Sequence, residues 1–117
     1  MKVFITGGSG FVGTRLLDIL LEENYHVTNF DKADSNFYPD LTTVGNICDY
    51  EKLFESVEDE STIIHLAAEH RDDVKPINLY DLVNIEGTRN ICRVAREKNI
   101  KKIIFTSSVA VYGFCDS

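Results

Sequence analysis

The segment Thr6 to Gly13 reads T-G-G-S-G-F-V-G and sits between a short apolar run, Val3-Phe4-Ile5, and a stretch with apolar residues at helical spacing. A glycine turn between strand and helix is chemistry for holding phosphate. Gly7 can take a turn conformation closed to other residues, and Gly10 lets the backbone approach a pyrophosphate without a clashing side chain. Gly13 lets the helix pack closely against the strand. Free N–H groups and the dipole at the helix start attract the phosphates, which brings Phe11 and Val12 into the binding set. The spacing is G-x-x-G-x-x-G rather than the G-x-G-x-x-G of classical dehydrogenases.

Asp31 closes the second apolar run, near the offset of about 20 residues expected for an acid that accepts hydrogen bonds from the adenosine ribose hydroxyls. A carboxylate there repels a 2′-phosphate, so NAD is expected over NADP. Lys32 offers such a phosphate partial compensation and joins the cofactor-binding set.

The elements that must position these residues follow from periodicity. Strands are expected at the N-terminus, at 26–30, 42–44, 62–67 and 101–107. The helices expected between them span 10–23, 48–57 and 78–98. The first helix presents Phe11, Leu16, Leu17, Leu20 and Leu21, the second Leu53, Phe54 and Val57, the third Leu82, Ile85, Ile91 and Val94. Apolar runs alternating with helices favour an α/β fold with a parallel sheet covered on both faces, doubly wound, in strand order 3-2-1-4-5. The chain has 117 residues, a net charge of −7, 44% hydrophobic and 26% charged residues. One continuous domain over 1–117 is expected, with no basic surface for nucleic acid. No stretch is apolar enough for a signal peptide core or a membrane helix, so a cytoplasmic protein is expected. Cys48, Cys92 and Cys115 lack metal-ligand spacing; they read as buried reduced thiols, with no metal site.

Four motifs together resemble the nucleotide-sugar epimerase/dehydratase branch of the extended short-chain dehydrogenase/reductase superfamily. Thr6 to Gly13 is similar to its T-G-x-x-G-x-x-G. Gly45-Asn46-Ile47-Cys48-Asp49 resembles its G-D-[IL]-x-D, with Asn46 in place of the acid that hydrogen-bonds the adenine amino group. His65-Leu66-Ala67-Ala68 resembles H-x-A-[AG], whose small residues let the cofactor lie close. Phe105 to Gly113 is similar to the segment carrying a catalytic serine four residues before Tyr-Gly, which selects Ser108. Asn84 matches a helix asparagine near the cofactor.

The resemblance implies a Rossmann-like fold and an NAD-dependent enzyme. It implies cofactor contacts from Asn46, Ile47, Leu66, Ala67, Ala68 and Asn84, and a nucleotide-sugar substrate and homodimer for the full-length protein. His65 reads as a structural histidine at a strand end. His70, Arg71 and Asp72 follow the H-L-A-A stretch with no role assigned. The family's acid/base pair is Tyr-x-x-x-Lys. Tyr25, Tyr38, Tyr50, Tyr80 and Tyr112 are followed four positions on by Asn29, Thr42, Phe54, Asn84 and Asp116, so none has its lysine. The chain is therefore expected to be the N-terminal cofactor-binding portion of a longer enzyme, inactive alone and lacking the substrate-binding region. A reductase of another branch and a dinucleotide-sensing module are the alternatives.

Overall fold

In the computed structural model, residues 1–66 and 79–105 are described, apart from the side chains of 79–84. Five strands, β1 (Lys2–Thr6), β2 (His26–Asp31), β3 (Thr42–Val44), β4 (Ser61–His65) and β5 (Lys102–Phe105), form one parallel sheet in the order β3-β2-β1-β4-β5. Lys2 lies opposite His26 on one side and Ser61 on the other, so β1 is the central strand. Helices α1 (Phe11–Glu22), α2 (Tyr50–Ser56) and α3 (Leu79–Glu97) make the crossovers, with a single 3-10 turn at Pro39–Leu41 before β3.

Two apolar clusters lie on opposite faces of the sheet. Phe4, Phe30 and Ile63 pack with Leu53 and Val57 of the α2 segment and with Ile91, Val94 and Ala95 of α3. Val3, Ile5, Val27 and Ile64 pack with Leu17 of α1. Neighbouring strand residues thus point to opposite faces, both of them apolar, which is why these strands read as runs.

Asp49 caps α2 by accepting the Lys52 N–H on its side chain. The Lys98 ammonium donates to the Phe54 carbonyl at 2.6 Å and also to that of Val57, closing the other end of α2 from α3.

Three apolar positions differ from the helical reading. Phe11 is 79% exposed, because the first turn of α1 stands beyond the sheet with no strand beneath it. Phe54 is exposed, since only Leu53 and Val57 of so short a segment reach the sheet; its ring lies under the Lys98 ammonium. Ile85 is exposed as well, because six residues turn a helix by about 240° and carry it off the face that Ile91 defines. Cys48 carries a half-buried thiol whose pKa is raised by burial and by Glu86. Cys92 is buried.

Candidate functional site

The loop between β1 and α1 lies at the carboxyl end of the central strand, where a doubly wound sheet binds its ligands. Gly7 has φ 77° and donates its N–H to the Phe30 carbonyl at 2.8 Å. That backbone region is costly for a side chain, so the turn requires glycine. Gly13 is needed for space: a Cβ there would stand 2.4 Å from the Gly8 Cα. The close approach that the sequence suggested is therefore real, but it is helix against loop rather than helix against strand. A Cβ on Gly10 would meet nothing within 4 Å, which leaves the space beside the loop open.

The N–H groups at the start of α1 are unmatched. Gly10 has extended backbone at the N-cap and no side chain to cap with, and the first turn carries no acid. Thr14 donates to the Gly10 carbonyl at 2.9 Å, whereas the Phe11, Val12 and Gly13 N–H groups find no acceptor among the described residues. Adjacent unmatched donors at the positive end of a helix are what an anionic phosphate satisfies.

Asp31, half-buried at the end of β2, faces this loop. One carboxylate oxygen accepts the Ser9 N–H at 2.9 Å and the other lies 3.4 Å from the Ala33 nitrogen. Lys32 is exposed beside it. An open groove of about 540 Å³ runs along Ser9, Gly10, Phe11, Arg15 and the 36–38 segment.

The next loop, after β3, holds Asn46 and Ile47. The Asn46 side-chain oxygen accepts the Cys48 N–H at 2.8 Å in a local turn. Ile47 packs its side chain on α3, where a Cβ on Gly87 would meet it at 2.7 Å, and its carbonyl accepts from the Asn90 amide at 2.9 Å. Its side chain thus packs against the core from the loop while staying partly exposed. Leu66, directly after β4, donates its N–H to the Thr6 carbonyl and hydroxyl at 2.9 and 3.1 Å.

His65 is buried between strands. The Thr6 hydroxyl lies 2.6 Å from its Nδ1, the Thr88 hydroxyl 3.5 Å from its Nε2, and the Phe105 ring meets it edge-on. Burial alone lowers its pKa to about 4, so at neutral pH it is uncharged and can accept the Thr6 proton on Nδ1. It ties β1, β4, β5 and α3 together, as a structural histidine would.

Gly7, Gly10, Phe11, Val12, Gly13 and Asp31 thus converge on one side of one loop, with Asn46 and Leu66 on the loops that follow β3 and β4. Ala67, Ala68, His70, Arg71, Asp72 and Ser108 lie outside the described residues, as does the side chain of Asn84. Two participants were missed. Ser9 donates its hydroxyl to the Ala33 carbonyl at 2.7 Å, and Asn29 is a fully buried amide that reaches the loop from β2. A polar residue in an otherwise apolar strand was the available signal for Asn29.

Among the described residues no group of acids, cysteines or histidines could hold a metal ion, and no helix is long and apolar enough to cross a membrane.

Comparison with known proteins gives a consistent result. The profile of the NAD dependent epimerase/dehydratase family matches residues 3–117. The chain is 48% identical over 112 residues to an N-acetyl-alpha-D-glucosaminyl-diphospho-ditrans,octacis-undecaprenol 4-epimerase of Escherichia coli O157:H7, covering 96% of this chain and 34% of that protein. It is 34% identical over 125 residues to a 3-beta-hydroxysteroid dehydrogenase of Mycolicibacterium neoaurum, covering 94% and 32%. A UDP-glucose 4-epimerase from Bifidobacterium longum, solved with NAD+ and UDP, superposes with a TM-score of 0.77 at 30% identity over 97% of this chain and 38% of that one. The chain spans about a third of the length of the curated relatives it matches.

Proposed function

The chain belongs to the NAD-dependent epimerase/dehydratase family, and on that premise we propose that it is the NAD-holding N-terminal portion of a 4-epimerase acting on a diphosphate-activated sugar. The observation that carries this is the trio of unmatched N–H groups at Phe11, Val12 and Gly13, beside the open space at Gly10 and within reach of the strand-end acid Asp31. These residues fit a dinucleotide: an anion for the helix start, a ribose for the carboxylate. NAD, when bound, supplies the hydride acceptor and donor.

In this reading the first turn of α1 holds the pyrophosphate charge, and Asp31 accepts hydrogen bonds from the adenosine ribose with Lys32 beside it. Asn46 meets the adenine amino group, while Ile47, Leu66, Ala67, Ala68 and Asn84 line the remainder. Ser108 hydrogen-bonds the hydroxyl on the sugar carbon that gives up the hydride, and passes the hydroxyl proton toward a tyrosine. That tyrosine and its lysine are supplied from beyond these 117 residues, since no tyrosine here has a lysine four positions on. The domain by itself therefore binds cofactor without turnover. The same proposal makes the whole protein a cytoplasmic homodimer, which light scattering tests.

Two carriers for the sugar are open to test. A nucleotide follows from the UDP-bound neighbour, and the expected nucleotide-sugar substrate is the first reading. A polyprenyl diphosphate follows from the 48% identical relative, whose identity well exceeds the 34% to a steroid dehydrogenase. The experiment is NAD titration of the purified chain, followed by epimerisation assays of the full-length enzyme with a UDP-N-acetylhexosamine and with its polyprenyl-diphosphate counterpart. Absence of NAD binding sinks the proposal as a whole, and turnover of only one substrate names the carrier.

A further inference from the structure

β2 turns Val27 toward the α1 face of the sheet, and two residues on, the same face carries the amide of Asn29, fully buried. A buried amide is tolerable only when its donors and acceptor are all matched. Here they are. The Asn29 Oδ1 accepts the Gly8 N–H at 2.8 Å, and Nδ2 donates to the Ser9 hydroxyl at 3.1 Å and to the Thr42 hydroxyl at 3.0 Å. Thr42 in turn donates to the Tyr38 carbonyl at 2.8 Å. One side chain thus joins the loop, β2 and the start of β3.

The fit around Gly8 is close. A Cβ there would stand 2.3 Å from the Asn29 Oδ1, and on the helix side Gly13 already leaves Gly8 no room. The loop is held between an amide and a helix. Asn29 takes up the Gly8 N–H and Asp31 that of Ser9, while those of Phe11, Val12 and Gly13 are left for a ligand. An aliphatic side chain would fill this part of the core without making any of these bonds.

We propose that Asn29 is a positioning residue of the phosphate loop: its amide fixes Gly8 and Ser9 so that the donors of the first α1 turn stand ready for the diphosphate of NAD. This rests on the NAD-binding reading above. Asn29 itself touches no cofactor, so its effect is transmitted through the loop and falls on the diphosphate rather than on the adenosine.

The test is calorimetric titration of the purified protein and of Asn29→Leu with NAD, ADP and adenosine. Loss of the loop tether lowers affinity for NAD and ADP about tenfold, while adenosine stays within about twofold. A parallel loss for all three ligands marks a merely structural residue and overturns the proposal, as does unchanged NAD affinity. If Asn29→Leu does not fold, Thr42→Val decides instead, because it removes one anchor of the amide far from the loop. A loss of about threefold for NAD and ADP without a loss for adenosine supports the role, and unchanged affinities overturn it. Failure of the unaltered protein to bind NAD refutes the cofactor reading itself, an outcome separate from equal binding by protein and variant.

Discussion

The carboxylate of Asp31 accepts the Ser9 N–H at 2.9 Å, so the acid at the end of β2 and the loop after β1 are joined by the chain's own hydrogen bond. A phosphate added to the ribose would enter beside a carboxylate held in place. At about 4 Å and an effective dielectric of about 20 the repulsion is about 4 kcal/mol, reduced by solvent and by Lys32.

A preference for NAD over NADP of about ten- to a hundredfold follows, and Asp31→Asn narrows it while weakening NAD itself about tenfold. Fluorescence titration with both cofactors measures this. Equal affinities of the unaltered protein for the two would remove Asp31 from the site.

His65 gives the protein an acid limit. Its pKa is lowered from 6.5 to about 4 by burial, so the unfolded chain binds a proton more readily than the folded one. Stability is complete above pH of about 6.5 and falls as pH drops toward 4, by about 3 kcal/mol at most from this group. Denaturant melts between pH 7.5 and 4.5 should show the loss, and His65→Gln should flatten it. An unchanged pH profile in that variant would assign the loss elsewhere.

Two glycines of one motif, Gly10 before α1 and Gly13 within it, separate folding from binding. Gly10→Val places its side chain where nothing lies within 4 Å, so the melting temperature is kept while NAD binding disappears. Gly13→Ala drives a methyl into the Gly8 backbone at 2.4 Å and costs on the order of 3 kcal/mol of stability. Thermal melts and titrations on the pair check this; wild-type NAD affinity in Gly10→Val would refute the cradle.

Ser108 is tested by turnover. In the intact enzyme Ser108→Ala should reduce kcat about a hundredfold with little change in KM, the signature of a group acting in the transition state. Ser107→Ala should leave kcat near normal. The reverse pattern in steady-state kinetics would exchange their roles.

The strand order and the glycine turn after β1 were legible because each rests on a short-range pattern: apolar runs for strands covered on both faces, and glycines between strand and helix. Gly7 shows this well, since its positive φ is what a glycine at that point of the motif implies. Phe11 and Ile85 misled because periodicity marks which residues could share a face without saying where the sheet beneath it ends. Gly8 was passed over because the reading followed glycines at every third position. Its need for glycine comes from Asn29, 21 residues away, and such a contact leaves no trace in local spacing. The place of Asn46 after β3 was readable, but its turn with Cys48 was visible only in three dimensions.

Of these five strands, the central one leaves the ribosome first. β1 meets β2 as soon as α1 has been made, with Lys2 opposite His26, and it waits for β4 until Ser61 arrives on its other side. The sheet therefore grows outward in both directions from its oldest strand. The half that contains the phosphate loop closes the smaller chain loop and carries the smaller entropic cost. Under the cofactor reading proposed above, the groups for the adenosine end of the ligand, Asp31 and Asn46, are thus synthesised before β4 and β5.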